Sequence, residues 1–270
     1  MWWPMIERLH SHLHLYLTGS KGYVRRHAGW GWRRRTELLG QFDWHAGAPL
    51  DLAPWLGRHW RTSLHVHLGS ALCRLMALEI PAGAKDAAEA QAIASASLQH
   101  EFGLGAAQWL CTVERAPAGQ KSAVCAMRRE LLERLRAAAP GPQLRLVSVK
   151  PLLAGVWSAL PRRGGADASP SALLAVEEDA FTVVVTQAGK LLAMHALPHR
   201  GEADLVEREL RRLGHSYGMA METRVGLALA RGQQGLLGEH HRLLLSGREH
   251  LRRRHYADFR DVLFAGEEGA

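Results

Sequence analysis

The chain has 270 residues, 47% hydrophobic and 22% charged, enough apolar material to bury the core of one large domain or two packed lobes, and this excludes wholesale disorder. The net charge is +8 and 29 of the 34 basic residues are Arg, spread along the chain with runs only at 33–35 and 252–254, a pattern that disfavours nucleic acid as a partner. No apolar run reaches the roughly 18–20 residues that span a bilayer, and three scattered cysteines (Cys73, Cys111, Cys125) without CxxC spacing read as reduced core residues of a cytoplasmic protein.

Residues 1–17 carry His10, His12 and His14 and lack a basic leader and a small-residue cleavage site, so they are not read as a secretory signal. Residues 12–18 alternate Leu13, Leu15 and Leu17 with polar positions and predict a strand; 19–22 predict a turn, and 23–27 and 35–44 two further strands. Pro49 opens a predicted short helix to residue 60, with Leu52, Trp55, Leu56 and His59 at helical spacing. Alternation returns at 63–68, Gly69-Ser70 breaks it, and 71–80 predict an apolar strand ending at Pro81. Residues 85–102 predict an Ala-rich helix stopped by Gly103 and Gly105. Strands at 108–115 and 121–127, an amphipathic helix at 128–139 with Leu131, Leu132 and Leu135 on one face, a strand at 144–149 and a helix from Pro151 to 160 complete this half.

The stretch 161–171 holds two Pro, two Gly and two Ser and reads as a linker. Three strands follow at 172–177, 180–186 and 191–197, the last two joined by a turn at 187–190. A charged helix at 202–214, a strand at 224–230, a Gly-rich loop at 232–238, a strand at 242–245 and a frayed tail from 267 finish the reading. Each half opens with about three antiparallel strands and continues with helices and further strands. This is mixed α/β structure (α+β) in duplicate, and it excludes a simple alternating dinucleotide-binding pattern.

That duplicated order resembles the two-lobed actin-like, RNase H-like fold, and within it the PilM and GspL families of type IV pilus and type II secretion systems. The residues that carry the resemblance are Leu78-Glu79-Ile80-Pro81 before a helix and a strand-helix-strand insert, Leu146 to Pro151 where the chain re-enters the lobe, the stretch 175–192, and Leu245-Ser246-Gly247 after an apolar strand. The resemblance implies a first lobe from 1–80 and 151–161 with an N-terminal extension, an insert at 81–150, a linker at 162–170, a second lobe at 171–266 and a disordered tail at 267–270. It also implies a cytoplasmic scaffold, peripheral to the inner membrane, that docks the cytoplasmic segment of a membrane-anchored assembly protein, with self-association as a further option. The alternative it leaves is an actin-like ATPase with a divergent nucleotide pocket, using ATP and magnesium.

An actin-like ATPase holds phosphate with Asp-x-Gly turns, because only Gly lets backbone amides approach the anion closely. The sequence contains no Asp-x-Gly. In the second lobe the aligned positions are Glu177, Asp179 and Thr182, with Ser246 and Gly247 later. These five read as a vestigial nucleotide site, so no catalytic residue, cofactor or metal is expected. A second phosphate-loop likeness runs from Val66 to Arg74, with His67 in place of Asp.

The 16 histidines invite a metal, and His65 and His67 share one strand face as do His10, His12 and His14, but nothing in the sequence supplies a third converging ligand, so they read as strand-surface residues. No Gly-x-Ser-x-Gly elbow is present; Ser246-Gly247 is the nearest approach. Trp2, Trp3, Trp30 and Trp32 beside the 33–35 Arg run suit an acidic partner or an anionic membrane surface.

Overall fold

The computed structural model describes residues 11–28, 35–45, 47–57, 61–159, 170–202, 204–217 and 225–229. The predicted linker short of residue 170, the loop at 232–238, the strand at 242–245, the tail, and Trp2, Trp3, Trp30 and Trp32 lie outside the described residues.

Alternating leucines make the first strand, β1 (Ser11–Leu17), and β2 (Lys21–Ala28) and β3 (Arg35–Asp43) follow it, the three pairing antiparallel in succession. On the other side of β1, β4 (Thr62–Leu68) and then β8 (Leu144–Pro151) add in parallel, giving the order β3-β2-β1-β4-β8. Leu13, Leu15 and Leu17 are fully buried on one face with Val24, Leu64, Val66 and Leu68. Helix α2 (Arg129–Ala137) covers that face with Leu131 and Leu135. Each such leucine gains about 2 kcal/mol from burial, so the period-two pattern of β1 determines which face turns inward.

The helix predicted between Pro49 and residue 60 is a single 3-10 turn, Ala53–Trp55. Pro54 supplies no amide for a following turn, and Gly57 takes φ +64, which leaves the helical region. Residues 58–60 lie outside the described residues.

A separate three-stranded antiparallel sheet has the order β5-β7-β6, from β5 (Cys73–Glu79), β6 (Trp109–Glu114) and β7 (Lys121–Arg128). Helix α1 (Ala87–Phe102) packs Ala94 and Leu98 on its outer face, against Met76, Cys111, Val124 and Ala126. Asp86 caps this helix by accepting from the Glu89 amide at 2.8 Å, and Gly103 ends it at φ +68. This inserted sheet therefore starts at β5, earlier than residue 81. Helix α2 and β8 belong to the core and the ladder of the first sheet.

The second lobe repeats the first. Strands β9 (Pro170–Val176), β10 (Ala180–Gln187), β11 (Lys190–Pro198) and β12 (Val225–Leu229) lie in the order β11-β10-β9-β12. As before, two antiparallel hairpins come first and the fourth strand adds to the first in parallel. One face packs Leu174, Phe181, Val183 and Val185 with Leu213 of helix α4 (Leu205–Tyr217). The other face meets the rest of the molecule. Leu173, Ala175, Val184 and Met194 pack with Tyr16 and Tyr23 of the first sheet, Cys73 and Leu75 of the inserted sheet, and Leu152 and Leu153 of helix α3 (Leu152–Ala159). One apolar cluster thus joins both lobes and the insert.

Candidate functional site at the lobe junction

Strands β1 and β9 occupy the same place in their sheets, so the turns that follow them are equivalent. Both are three residues long and close with the same hydrogen bond. The Thr18 amide donates to the Lys21 carbonyl, and the Glu177 amide to the Ala180 carbonyl, each at 2.8 Å. In the first turn the Thr18 hydroxyl accepts from the Ser20 and Lys21 amides at 3.2 and 2.9 Å, which leaves the Gly19 amide facing outward. In the second turn His199 holds the backbone. Its amide donates to the Asp179 carbonyl at 3.1 Å, and its Nε2 donates to the Glu177 carbonyl at 2.9 Å. The Gly201 amide donates to its Nδ1 at 3.3 Å, which assigns the proton to Nε2.

The two turns touch. The Gly19 amide donates to Asp179 Oδ2 at 2.6 Å, while Asp179 Oδ1 is buried with no hydrogen-bond partner. A third turn joins them after β4. Gly69 donates its amide to the Leu17 carbonyl at 2.6 Å, and this aims the Ser70 amide at the Glu177 carboxylate, 2.9 and 3.1 Å from its two oxygens. Glu177, which is fully buried, also accepts from the Tyr16 hydroxyl at 2.7 Å and from the Ser70 hydroxyl. With its proton on Glu177, the Ser70 oxygen accepts in turn from Thr182. Tyr23 donates to Glu178 beside them.

Burial pushes the Glu177 carboxyl up to about 7, against the pull of its bonds from Ser70 and Tyr16. Burial also raises Asp179, opposed by the Gly19 amide. The Tyr16 phenol lies well above its ordinary value, through burial and the neighbouring Glu177 charge.

Of the residues singled out in the sequence, Glu177, Asp179 and Thr182 come together at this junction; Ser246 and Gly247 lie outside the described residues. The sequence did not name Tyr16, Gly19 or Ser70 for this site. The Val66 to Arg74 likeness to a phosphate loop was a signal for Gly69 and Ser70, which the fold delivers to Glu177. A cavity of about 390 Å³ lies apart from the junction, on the inserted sheet, lined by Gln108, Trp109, Arg128, Arg129, Glu130 and Glu133. Its two Arg and two Glu balance in charge.

The histidines correct the sequence reading. Parallel pairing sets His14 beside His65 and places His12 and His67 one step to either side. His12 and His65 meet ring nitrogen to ring nitrogen at 3.1 Å, His14 and His67 at 3.5 Å, and His27 lies edge-on to His14. His14 and His67, read in the sequence as strand-surface residues, are buried, and so is His27, because the central strands of this sheet are covered on both faces. Burial and the neighbouring imidazoles hold His14 far below its ordinary value; burial and His65 bring His67 to about 4. Among the described residues no three His, Cys, Asp or Glu are arranged to hold a metal ion.

No family model matches the sequence, and no curated protein does. Solved structures do. A Bacteroides thetaiotaomicron protein described as having an actin-like ATPase fold and unknown function aligns over 90% of this chain and 88% of its own, with TM-score 0.58 and 12% identity. The chain is two lobes of actin-like fold. A PilM–PilN type IV pilus biogenesis complex aligns over 94% of this chain and 73% of that one, with TM-score 0.51 and 15% identity. The cytoplasmic domain of EpsL, an inner-membrane component of the Vibrio cholerae type II secretion system, covers 83% of this chain and 87% of its own at TM-score 0.47 and 15% identity.

The fold brings a nucleotide into question, and the residues at the junction do not fit its phosphates. The outward amides of Gly19 and Ser70 are already held by the chain's own carboxylates. Glu178 and Asp179 would face a phosphate with like charge, and the buried Glu177 would crowd it.

Proposed function

We propose that this chain is a non-catalytic scaffold of a type IV pilus or type II secretion-like assembly, placed at the cytoplasmic face of the inner membrane by a membrane-anchored partner. The observation that carries this reading is the bond across the lobes from Gly19 to Asp179. A cleft that cycles nucleotide needs its amides available, whereas here a carboxylate covalently tied to the opposite lobe takes one of them. The PilM–PilN complex supports the choice of partner, since there a protein of this fold is seen in a pilus assembly complex. Among the described residues no helix is long and apolar enough to cross a membrane, which accords with recruitment by another chain.

The experiment has two arms. In calorimetry with magnesium present, the full chain gives no heat of ATP binding at micromolar concentrations; micromolar binding sinks the scaffold reading in favour of a divergent ATPase. In cells, the chain fractionates with the inner membrane and co-purifies with a membrane-anchored assembly protein encoded beside it. Full solubility both with and without those neighbours, and co-purification with none, sinks the recruitment.

A further inference from the structure

We infer that the Asp179 carboxylate is a built-in stand-in for an anion: it takes, from within the chain, the outward Gly19 amide at the lobe junction, a position that accepts inorganic phosphate once the side chain is removed. The inference rests on the reading above that the cleft has no nucleotide cycle, and it specifies how the closed state is held.

Three observations carry it. The first is position. Asp179 Oδ2 lies at the contact between two topologically equivalent turns, on the outward Gly19 amide of the first. The second is clearance. A Cβ on Gly19 would come within 2.6 Å of Asp179 Oδ2, and one on Gly69 within 2.6 Å of Glu177 Oε2, so both glycines give an anionic oxygen close approach to the backbone. The third is an excess of acceptors. A simple cross-link from Gly19 needs one oxygen, yet the carboxylate buries a second, Oδ1, with no hydrogen-bond partner. A side chain with a single oxygen would offer the one acceptor without that orphan. A full carboxylate placed here copies the shape and charge of an oxyanion. Glycine at position 179 would restore the pattern Glu-x-Gly-x-x-Thr from Glu177 to Thr182, open the space, and leave the Gly19 amide free to donate.

The test uses the full chain and three forms: wild type, Asp179→Gly and Asp179→Asn. Inorganic phosphate is the probe, with chloride at matched ionic strength as the reference. The Asp179→Gly variant melts several degrees below wild type, and phosphate raises its melting temperature saturably and moves the Gly19 amide resonance. Wild type and Asp179→Asn show neither response. An Asp179→Gly variant that phosphate does not shift, or that it shifts no more than wild type, overturns the inference. Should that variant not fold, the Gly19 amide proton decides: it moves upfield in Asp179→Asn, where the acceptor becomes neutral, and an unmoved resonance overturns the inference. Binding of magnesium and ATP by wild type sinks the scaffold reading alone; a missing phosphate response in the glycine variant sinks the stand-in alone.

Discussion

The turn after β1 and the turn after β9 have the same length, the same closing hydrogen bond and the same place in their sheets, yet opposite chemistry. Thr18-Gly19-Ser20 uses its side-chain hydroxyl to satisfy its own amides and leaves a donor for the other lobe. Glu177-Glu178-Asp179 offers three carboxylates and uses His199 to hold its backbone. A duplicated fold with two donor turns would leave a gap suited to an anion between them. With one donor turn and one acceptor turn, the lobes bond to each other directly. Closure here is therefore written into side-chain identity on one turn, with backbone geometry unchanged.

That asymmetry can be broken from either side. The largest effect is expected for Glu177→Ala, which leaves the Ser70 amide and the Tyr16 hydroxyl buried without their acceptor and opens a cavity. We expect a loss of about 4 kcal/mol by chemical denaturation; a loss under about 1 kcal/mol would show that Glu177 is not the acceptor that organises the junction. Next come the glycines, which behave differently. A Cβ on Gly69 meets the Leu17 carbonyl at 2.9 Å and Thr18 Cα at 3.3 Å, both backbone, besides Glu177. Gly69→Ala should therefore cost about 3 kcal/mol. A Cβ on Gly19 meets mainly the end of the Asp179 side chain, which can swing away, so Gly19→Ala should cost about 1 kcal/mol. Equal losses would mean that the carboxylate and the backbone are held with the same rigidity. Tyr16→Phe removes one of the donors to Glu177 and should cost roughly 1 kcal/mol.

Much of this architecture was legible because period-two alternation reports strands directly. The leucines of β1 and the apolar runs of β9 and β10 gave the elements, and their repeated order gave the two-lobed fold. The short helix before residue 60 was misread because Leu52, Trp55 and Leu56 have helical spacing while Pro54 and Gly57 deny it backbone support. At the junction, Glu177, Asp179 and Thr182 were legible from one local motif frame. Tyr16, Gly19 and Ser70 were not, because their bonds to that frame span 161, 160 and 107 residues and exist only once two sheets pack. The histidines were found on separate strands, but their convergence needed the parallel pairing of β1 with β4. Their burial needed a cover on the second face of the sheet, which alternation within one strand does not encode.

The last expected effect is one of slope, and it sets the junction against the histidine cluster. Between about pH 5 and 6 an unfolded chain carries protonated His14 and His67 and an ionised Glu177, given ordinary values near 6.5 and 4.5. The folded chain reverses all three: both imidazoles are held neutral by burial, and Glu177 stays protonated up to about 7. Each histidine thus binds a proton on unfolding, so its contribution to stability is present above pH 6.5 and is lost on acidification. Glu177 releases a proton on unfolding, so its contribution is present below pH 4.5 and is lost as the pH rises through about 7. One proton corresponds to about 1.4 kcal/mol per pH unit at most. In urea melts between pH 5 and 6, Glu177→Gln should therefore steepen the rise of stability with pH by nearly that amount, while His67→Gln should flatten it by a similar amount. The comparison with wild type cancels every other titrating group that the substitutions leave alone. Parallel pH profiles for wild type and Glu177→Gln would mean that Glu177 is ionised in the folded chain. The junction would then be held by three donors on a full negative charge, and its closure would be indifferent to pH across this range.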